Sequence, residues 1–169
     1  STVAKDSSGC LTGDGERFYK YFWEQIFSFK WKPIQSTVSY TEFYSGLQQV
    51  INWDNGKGEL YRLAEEMKGT NHAVQNWRRG QEFWGARGVA VSSMRELPVV
   101  IYSGTHFDNN TAVIIPHTKS DLAAIWAFCS SDLYNESVRE IDQALKVTNS
   151  TLVKVPFDLA HWRNVSDKL

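Results

Sequence analysis

The residues from Asn71 to Gln81 have the side chains that can read nucleic-acid bases. A side-chain amide pairs with the edge of adenine, an arginine guanidinium pairs with guanine, and other cations contact phosphates. After Asn71 this short stretch carries three further amides, two adjacent arginines and a tryptophan: Gln75, Asn76, Trp77, Arg78, Arg79 and Gln81. Glycines at positions 69 and 80 predict a mobile loop. The alternative interpretation is a solvated arginine pair beside a tryptophan of the core.

A second basic and aromatic group lies at positions 30–32. Two lysines flank a tryptophan there, with another lysine and a tyrosine upstream: Lys20, Tyr21, Lys30, Trp31 and Lys32. Lys30 and Lys32 would suit contact with phosphates. Phe29 and Trp31 also alternate as in a strand with one buried face, which favours a structural role for the group.

Two arginines flank the strands predicted for the middle of the chain. Arg87 and Arg95 have the length to reach DNA, or to pair with Glu82 and Glu96 in the surrounding loops. Both interpretations stay open at this point, and Arg87 is kept as a candidate DNA contact.

Metal-dependent cleavage is the catalytic chemistry that one short pattern permits. Glu66 and Lys68 resemble half of a Mg²⁺-dependent nuclease site, with Asp54 upstream. They fall on a predicted helix, whereas such a site needs adjacent strands, so the nuclease interpretation is disfavoured. The glycine pairs at 13–15 and 56–58 lack the strand and helix of a nucleotide loop and predict turns.

The cysteines, histidines and apolar runs indicate whether the chain has disulfides, a metal site or a membrane span, and in which compartment it works. Cys10 and Cys129 lie far apart, and His161 has no neighbouring histidine, so we predict free thiols and no metal site. Free thiols are typical of a reducing cytoplasm. The sequence has neither a signal peptide nor an apolar run of membrane-spanning length, which predicts a cytoplasmic protein without a membrane partner.

Longer stretches of the sequence resemble one family. The most specific sequence similarity lies in residues 9–18 (GCLTGDGERF) and 125–162. Four shorter similar stretches lie at 22–24, 50–54, 83–89 and 107–116. Together they resemble the specificity half of large adenine-N6 DNA methyltransferases, of the kind found in type IIG-like restriction-modification enzymes and BREX-like phage-defence systems. The matching residues of the first stretch are Thr12, Gly13, Asp14, Arg17 and Phe18, while Gly15 stands where the family has asparagine. A Thr-Gly-Asp turn is also what a strand-to-helix corner requires, which favours a structural role for them.

The resemblance implies a target-recognition domain that binds duplex DNA and has no catalysis of its own. The family's catalytic tetrapeptide, Asn/Asp-Pro-Pro-Tyr/Phe, cannot exist here because all four prolines are isolated. The resemblance assigns S-adenosylmethionine to a catalytic domain of the same chain and no cofactor to this one. Residues 1–169 are accordingly expected to be a single domain excised from a longer methyltransferase. A protein-docking module of the same defence system is the alternative.

Hydrophobic patterning predicts strands that alternate with short helices. Strands are expected at 7–14, 50–53, 88–92, 98–102, 111–115 and 151–155. Helices are expected at 57–68, after Ser120-Asp121, from Ser131-Asp132 through Leu145, and after Asp158. These elements predict an α+β fold, with a mixed or antiparallel twisted β-sheet and several short helices packed on it.

Composition and net charge indicate how stably this domain folds and how strongly it could bind DNA. At 169 residues the chain can form one independent core, and its many aromatic residues exclude disorder. Its net charge of −1 is unusual for an autonomous DNA-binding domain. We therefore expect the cations to be concentrated on one face, a catalytic domain to supply much of the phosphate contact, and the isolated domain to bind weakly.

Overall fold

Two four-stranded sheets and six α-helices make up the fold. The computed structural model describes residues 3–26 and 28–168, so Ser1 and Leu169, the ends of the expected module, lie outside the described residues. The strands are β1 (Ala4–Ser8), β2 (Tyr19–Tyr21), β3 (Trp31–Gln35), β4 (Gln49–Asn52), β5 (Gly88–Ser92), β6 (Val99–Tyr102), β7 (His106–Phe107) and β8 (Thr111–Pro116). The α-helices are α1 (Gly15–Phe18), α2 (Glu59–Glu66), α3 (Leu122–Cys129), α4 (Asp132–Ile141), α5 (Asn149–Leu152) and α6 (Leu159–Ser166).

The first sheet is antiparallel throughout, in the order β1-β8-β5-β6. Every residue of its central strands β5 and β8 is buried. Side chains from α3 to α6 cover one face, and Phe83 and Phe107 pack on the other. Burial on both faces explains why these strands read as continuous apolar runs and not as alternating ones.

The second sheet has the order β2-β4-β3-β7, and its β3–β7 pair is parallel. One face packs against α2 through Ile34, Ile51 and Leu60. The predicted α+β fold is confirmed, with the expected single sheet replaced by two. The predicted free thiols are also confirmed, since Cys10 and Cys129 are unpaired and buried, and burial raises the pKa of Cys10 to about 12.

Side-chain hydrogen bonds set where the C-terminal helices begin and end. Asp158 caps α6 as predicted, accepting from the backbone N–H of His161 at 3.1 Å. Asp121 does not cap α3; its buried carboxylate accepts from Nε of Arg163 at 3.0 Å and so joins α3 to α6. The helix expected to reach Leu145 ends at Ile141, because the Asp142 carboxylate accepts from two later backbone N–H groups and holds a loop.

The prediction of a strand at 151–155 is wrong, because residues 149–152 form α5 and the chain then turns. The β-branched residues there favour a strand by propensity alone. Leu152 and Val155 are instead buried against the helices of the first core, and the Tyr134 hydroxyl donates to the Leu152 carbonyl at 3.2 Å. Side-chain burial in this helical layer therefore outweighs strand propensity.

The first strand ends at Ser8 and does not continue to Asp14. At Gly9 the backbone crosses onto β7 so closely that a Cβ atom would lie 1.9 Å from the Phe107 carbonyl oxygen. The next residue, Cys10, donates its N–H to that same carbonyl at 2.8 Å. This crossing leads the chain from the first sheet to the second.

Candidate nucleic-acid interface

Trp77, predicted as a DNA contact, is a core residue. Its side chain is only 8% exposed and packs against Trp53, with 5.0 Å between the ring centroids, and against Tyr61. This burial leaves no open ring face for a base, so the core alternative holds at this position.

The amides of the same stretch are engaged in local hydrogen bonds. Gln75 donates to the Ala64 carbonyl at 2.8 Å and thereby joins the stretch to α2. The Asn76 side chain donates to the His72 carbonyl at 2.8 Å, and the Asn76 backbone carbonyl accepts from the Leu11 N–H. The two amides therefore hold the loop in place, and reading a base would require breaking these bonds.

The arginines of the stretch are also anchored, although they stay exposed. Arg78 lies 4.3 Å from the Trp77 ring centroid and donates to the Gly56 carbonyl at 3.2 Å. Arg79 donates to Asn76 at 2.6 Å and to Ser8 at 3.3 Å. Arg78, Arg79 and the neighbouring Gln81 are all exposed, so they remain candidates for phosphate contact.

The predicted mobile loop is a run of short turns fixed at several points. Its 3-10 helices span Val74–Asn76 and Gln81–Phe83. Gly80 sits between them with a φ of 82° and against β7, where a Cβ atom would lie 2.4 Å from the Phe107 ring. The glycine is required here by close packing, and it is not a hinge.

The residues of the family-like first stretch form the corner between β1 and β2. Asp14 caps α1, accepting from the Arg17 N–H at 3.2 Å, and Arg17 pairs with Glu59 of α2. Thr12 and Phe18 are buried, and Gly13 has a φ of 74° that favours glycine. Packing and capping thus account for these residues, as the structural interpretation predicted.

A polar cleft of about 360 Å³ lies beside this corner. Its charged and amide residues come from four segments: Arg17, Lys30, Asn52, Asp54, Glu59, Arg62 and Glu66. The cleft brings the candidate Lys30 together with the two carboxylates of the nuclease interpretation. Within residues 3–26 and 28–168, no three His, Cys, Asp or Glu side chains converge as metal ligands do.

Arg87 lines a separate groove of about 550 Å³. The exposed ring of Phe43 stacks there on Trp126, with centroids 5.2 Å apart. The segment that carries Phe43 pairs with the edge of β6, where Ile101 donates its N–H to the Phe43 carbonyl at 2.9 Å. The groove combines apolar walls with the cations of Arg87 and Lys119.

The second sheet has an open face that carries apolar side chains. Lys20, Val50 and Pro33 lie opposite one another on β2, β4 and β3, so their side chains share a face. Trp31 and Asn52 form the neighbouring pair on this face. Pro33 is exposed and the other four are partly exposed, which distinguishes this face from the one packed on α2.

The chain between β2 and β3 extends this face into an aromatic cleft of about 470 Å³. Phe22, Ile26 and Phe29 form its rim and are 58%, 91% and 87% exposed. Its other lining residues are Gln25, Ser28, Trp31, Lys32, Pro33 and Val50. Lys32, a predicted phosphate contact, therefore borders an apolar surface.

A fixed turn holds the aromatic side chains next to this cleft. The Tyr21 N–H donates to the Glu24 carboxylate at 2.8 Å. The rings of Tyr21 and Trp23 stack in parallel, with centroids 4.6 Å apart and planes 8° apart. The turn presents flat aromatic surface to solvent, since Trp23 is 61% exposed.

The sequence pattern placed Phe29 on the buried face of a strand, and the structure corrects this. Phe29 precedes β3 and is almost fully exposed. One signal in the sequence could have indicated an exposed surface, because eight of the fourteen residues from 18 to 31 are aromatic. A single buried stripe cannot hold so many rings.

His106 lies in an aromatic cluster behind the second sheet. Its ring centroid is 3.8 Å from that of Trp84 and 4.7 Å from that of Trp53. In the described part of the chain its Nε2 atom is buried without a hydrogen-bond partner. Burial, and then the nearby Lys32 cation, lower the pKa of His106 to about 4.

This shift predicts that His106 destabilises the fold in acid. Between about pH 6.5 and 4 the unfolded chain binds a proton at this residue and the folded protein does not, so the free energy of unfolding falls as the pH falls. Denaturant unfolding at pH 7 and pH 4.5 measures this loss. We expect His106→Phe to lose less stability over this interval than the unsubstituted chain, and His117→Phe, at an exposed site, to match it. Equal losses in all three proteins would contradict the assignment.

No protein-family model matches the chain, and no curated protein matches it with significance. The resemblance of its sequence to methyltransferase specificity domains therefore stays a prediction. In the part of the chain that the structure describes, no helix is long and apolar enough to cross a membrane.

Proposed function

We propose that this chain is the target-recognition domain of an adenine-N6 DNA methyltransferase in a restriction-modification or phage-defence system. The domain binds duplex DNA in the cytoplasm and holds the target sequence in register. It performs no catalysis itself. A separate catalytic domain of the same protein binds S-adenosylmethionine and methylates the adenine. Together with the sequence resemblance, the open face of the second sheet supports this proposal.

The observation that carries the proposal is the combination of cations and exposed aromatic rings around this open face. Residues 20–32 contain three lysines, Lys20, Lys30 and Lys32, and one carboxylate, that of Glu24, whereas the nearby Arg17 is paired with Glu59. Glu24 is directed at the Tyr21 backbone. Such a local excess of positive charge, in a chain with a net charge of −1, is the electrostatic pattern of a surface that contacts phosphates.

The same residues favour DNA over a protein partner at this surface. Protein interfaces are enriched in aromatic residues but depleted of lysine at their centre. Here Lys20 lies in register with Val50 on the open face, and Lys32, opposite Ile51, borders the cleft from the other face of the sheet. Lysine within an aromatic surface suits a ligand that carries phosphates.

Base reading requires side-chain amides that are not committed elsewhere. The amides of Gln75 and Asn76 hold their own loop, whereas Asn52 lies on the open face and Gln25 lines the aromatic cleft. An amide of this kind can pair with adenine through one donor and one acceptor. We therefore assign base reading to the open face, with the exposed Gln81 as a further candidate.

Selection of bound sequences from a random duplex library tests this proposal. We expect a defined sequence to be enriched, and its affinity to fall with salt with a slope of about −3 in log K against log salt, as for three or four phosphate contacts. A salt-dependent affinity without enrichment would show general DNA binding and contradict target recognition. An affinity that salt leaves unchanged would contradict phosphate contact altogether.

A further inference from the structure

We propose that the aromatic cleft binds one unpaired base of the DNA and stacks that base on its aromatic rings. This inference rests on the proposed function, because DNA bound at the neighbouring lysines is what brings a base to the cleft. It goes further by assigning a ligand, a nucleobase outside the helical stack, to a defined set of side chains.

The apolar character of the open face is the first argument. An antiparallel sheet with one packed face and one solvated face normally carries polar side chains on the solvated side. Here three of the five side chains on that side, Trp31, Pro33 and Val50, are apolar, and the rim adds side chains that are more than half exposed. A contiguous apolar surface of this kind on a charged chain marks a binding site.

The chemistry of the lining identifies the ligand. Trp31, Phe22 and Phe29 offer aromatic surface, the Lys20 ammonium on the same face of the sheet offers a partner for a phosphate, and the Gln25 amide offers a donor and an acceptor. A nucleotide needs all three kinds of contact. A purely apolar peptide or lipid chain would use only the first.

Stacking on the rings of the cleft requires that the base be unpaired. A base inside a duplex exposes only its edge in the grooves, because its neighbours in the stack cover both faces. Stacking on protein rings therefore requires a base that has left the stack. At about 470 Å³ the cleft falls in the size range of sites that enclose a small ligand.

Two duplexes that differ only by one extrahelical base provide the test. At equal salt, we expect the unsubstituted chain to bind the bulged duplex about tenfold more tightly than the fully paired one, as base–aromatic stacking provides. Phe22→Ala/Phe29→Ala should abolish this preference, so that this variant binds the two duplexes with equal affinity. Both rings are largely exposed, so the fold should tolerate their removal. Tyr40→Ala, which removes a ring that is 78% exposed outside the cleft, should keep the preference.

Fluorescence gives a second and direct readout. With 2-aminopurine as the extrahelical base, stacking should quench its emission with the unsubstituted chain and with Phe29→Tyr, but not with Phe22→Ala/Phe29→Ala. Unchanged emission with the unsubstituted chain would overturn the proposal.

The outcomes separate this inference from the proposed function. Equal, salt-dependent affinity for the two duplexes would overturn the cleft as a base site and leave DNA recognition standing. If the rim variant loses affinity equally for both duplexes, its rings contact DNA generally, and the proposal also fails. Absence of binding to every duplex would overturn both.

Discussion

Replacing Lys20, Lys30 and Lys32 together by alanine is expected to lower the affinity for duplex DNA by about two orders of magnitude at 0.1 M salt. Each phosphate contact contributes roughly 0.9 to the slope of log K against log salt, because binding releases a condensed counterion. We expect the change in slope to be smaller than for three full phosphate contacts, because the Lys20 ammonium already donates to the Glu16 carbonyl at 2.8 Å. Fluorescence anisotropy over a range of salt concentrations gives both the affinity and the slope, which should become shallower by about 2.

The matched control removes the same charge from elsewhere. Lys68, Lys154 and Lys168 are exposed and lie outside the open face and the aromatic cleft. Their triple alanine variant has the same net charge as the test variant, so it should retain most of the affinity and the slope. Equal losses in the two variants would mean that net charge alone governs binding, and the assignment of the open face would be wrong.

Trp77→Ala is expected to reduce the free energy of unfolding by about 3–5 kcal/mol, as removal of a buried tryptophan does. The ring contacts Trp53 and Tyr61 and supports the guanidinium of Arg78, so its loss leaves a cavity between the second sheet and α2. Chemical denaturation measures the change. The expected loss is a large fraction of the free energy of unfolding of an ordinary domain, which is commonly about 5–15 kcal/mol.

Trp23→Ala is the control for this substitution, because it removes the same side chain from an exposed position. We expect it to change the free energy of unfolding by less than about 1 kcal/mol. If Trp77→Ala left stability unchanged and weakened DNA binding, Trp77 would contact DNA and our assignment of it to the core would fail.

Elements with one dominant local cause could be predicted from the sequence. Apolar runs located β5 and β8, and the position of Asp158 located the start of α6. The strand expected at 151–155 failed because burial against distant helices decides its conformation. The end of α4 failed for a related reason, since it depends on which backbone groups the Asp142 carboxylate reaches.

At the candidate site, too, the sequence indicated residue types but not their long-range partners. Residue types singled out Lys30 and Lys32 as possible phosphate contacts, but they could not show that Lys30 lines the polar cleft, that Lys32 borders the aromatic cleft, or which side of the second sheet α2 covers. The partners that occupy Gln75 and Arg79 come from positions 64 and 8 in the chain. Composition alone cannot reveal such distant partners, so a loop rich in base-reading side chains was predicted where the fold uses them as anchors.

Residues 41–43, which pair with β6, affect whether two molecules of this protein can associate through the edges of their sheets. An unprotected edge strand offers free N–H and C=O groups to an edge strand of another molecule, which leads to aggregation. Here Glu42 donates to the Val99 carbonyl at 3.2 Å, and the Phe43 carbonyl accepts from Ile101 at 2.9 Å. The Thr41 hydroxyl also accepts from the Val99 N–H at 3.2 Å. This edge of the first sheet is thereby closed to intermolecular strand pairing.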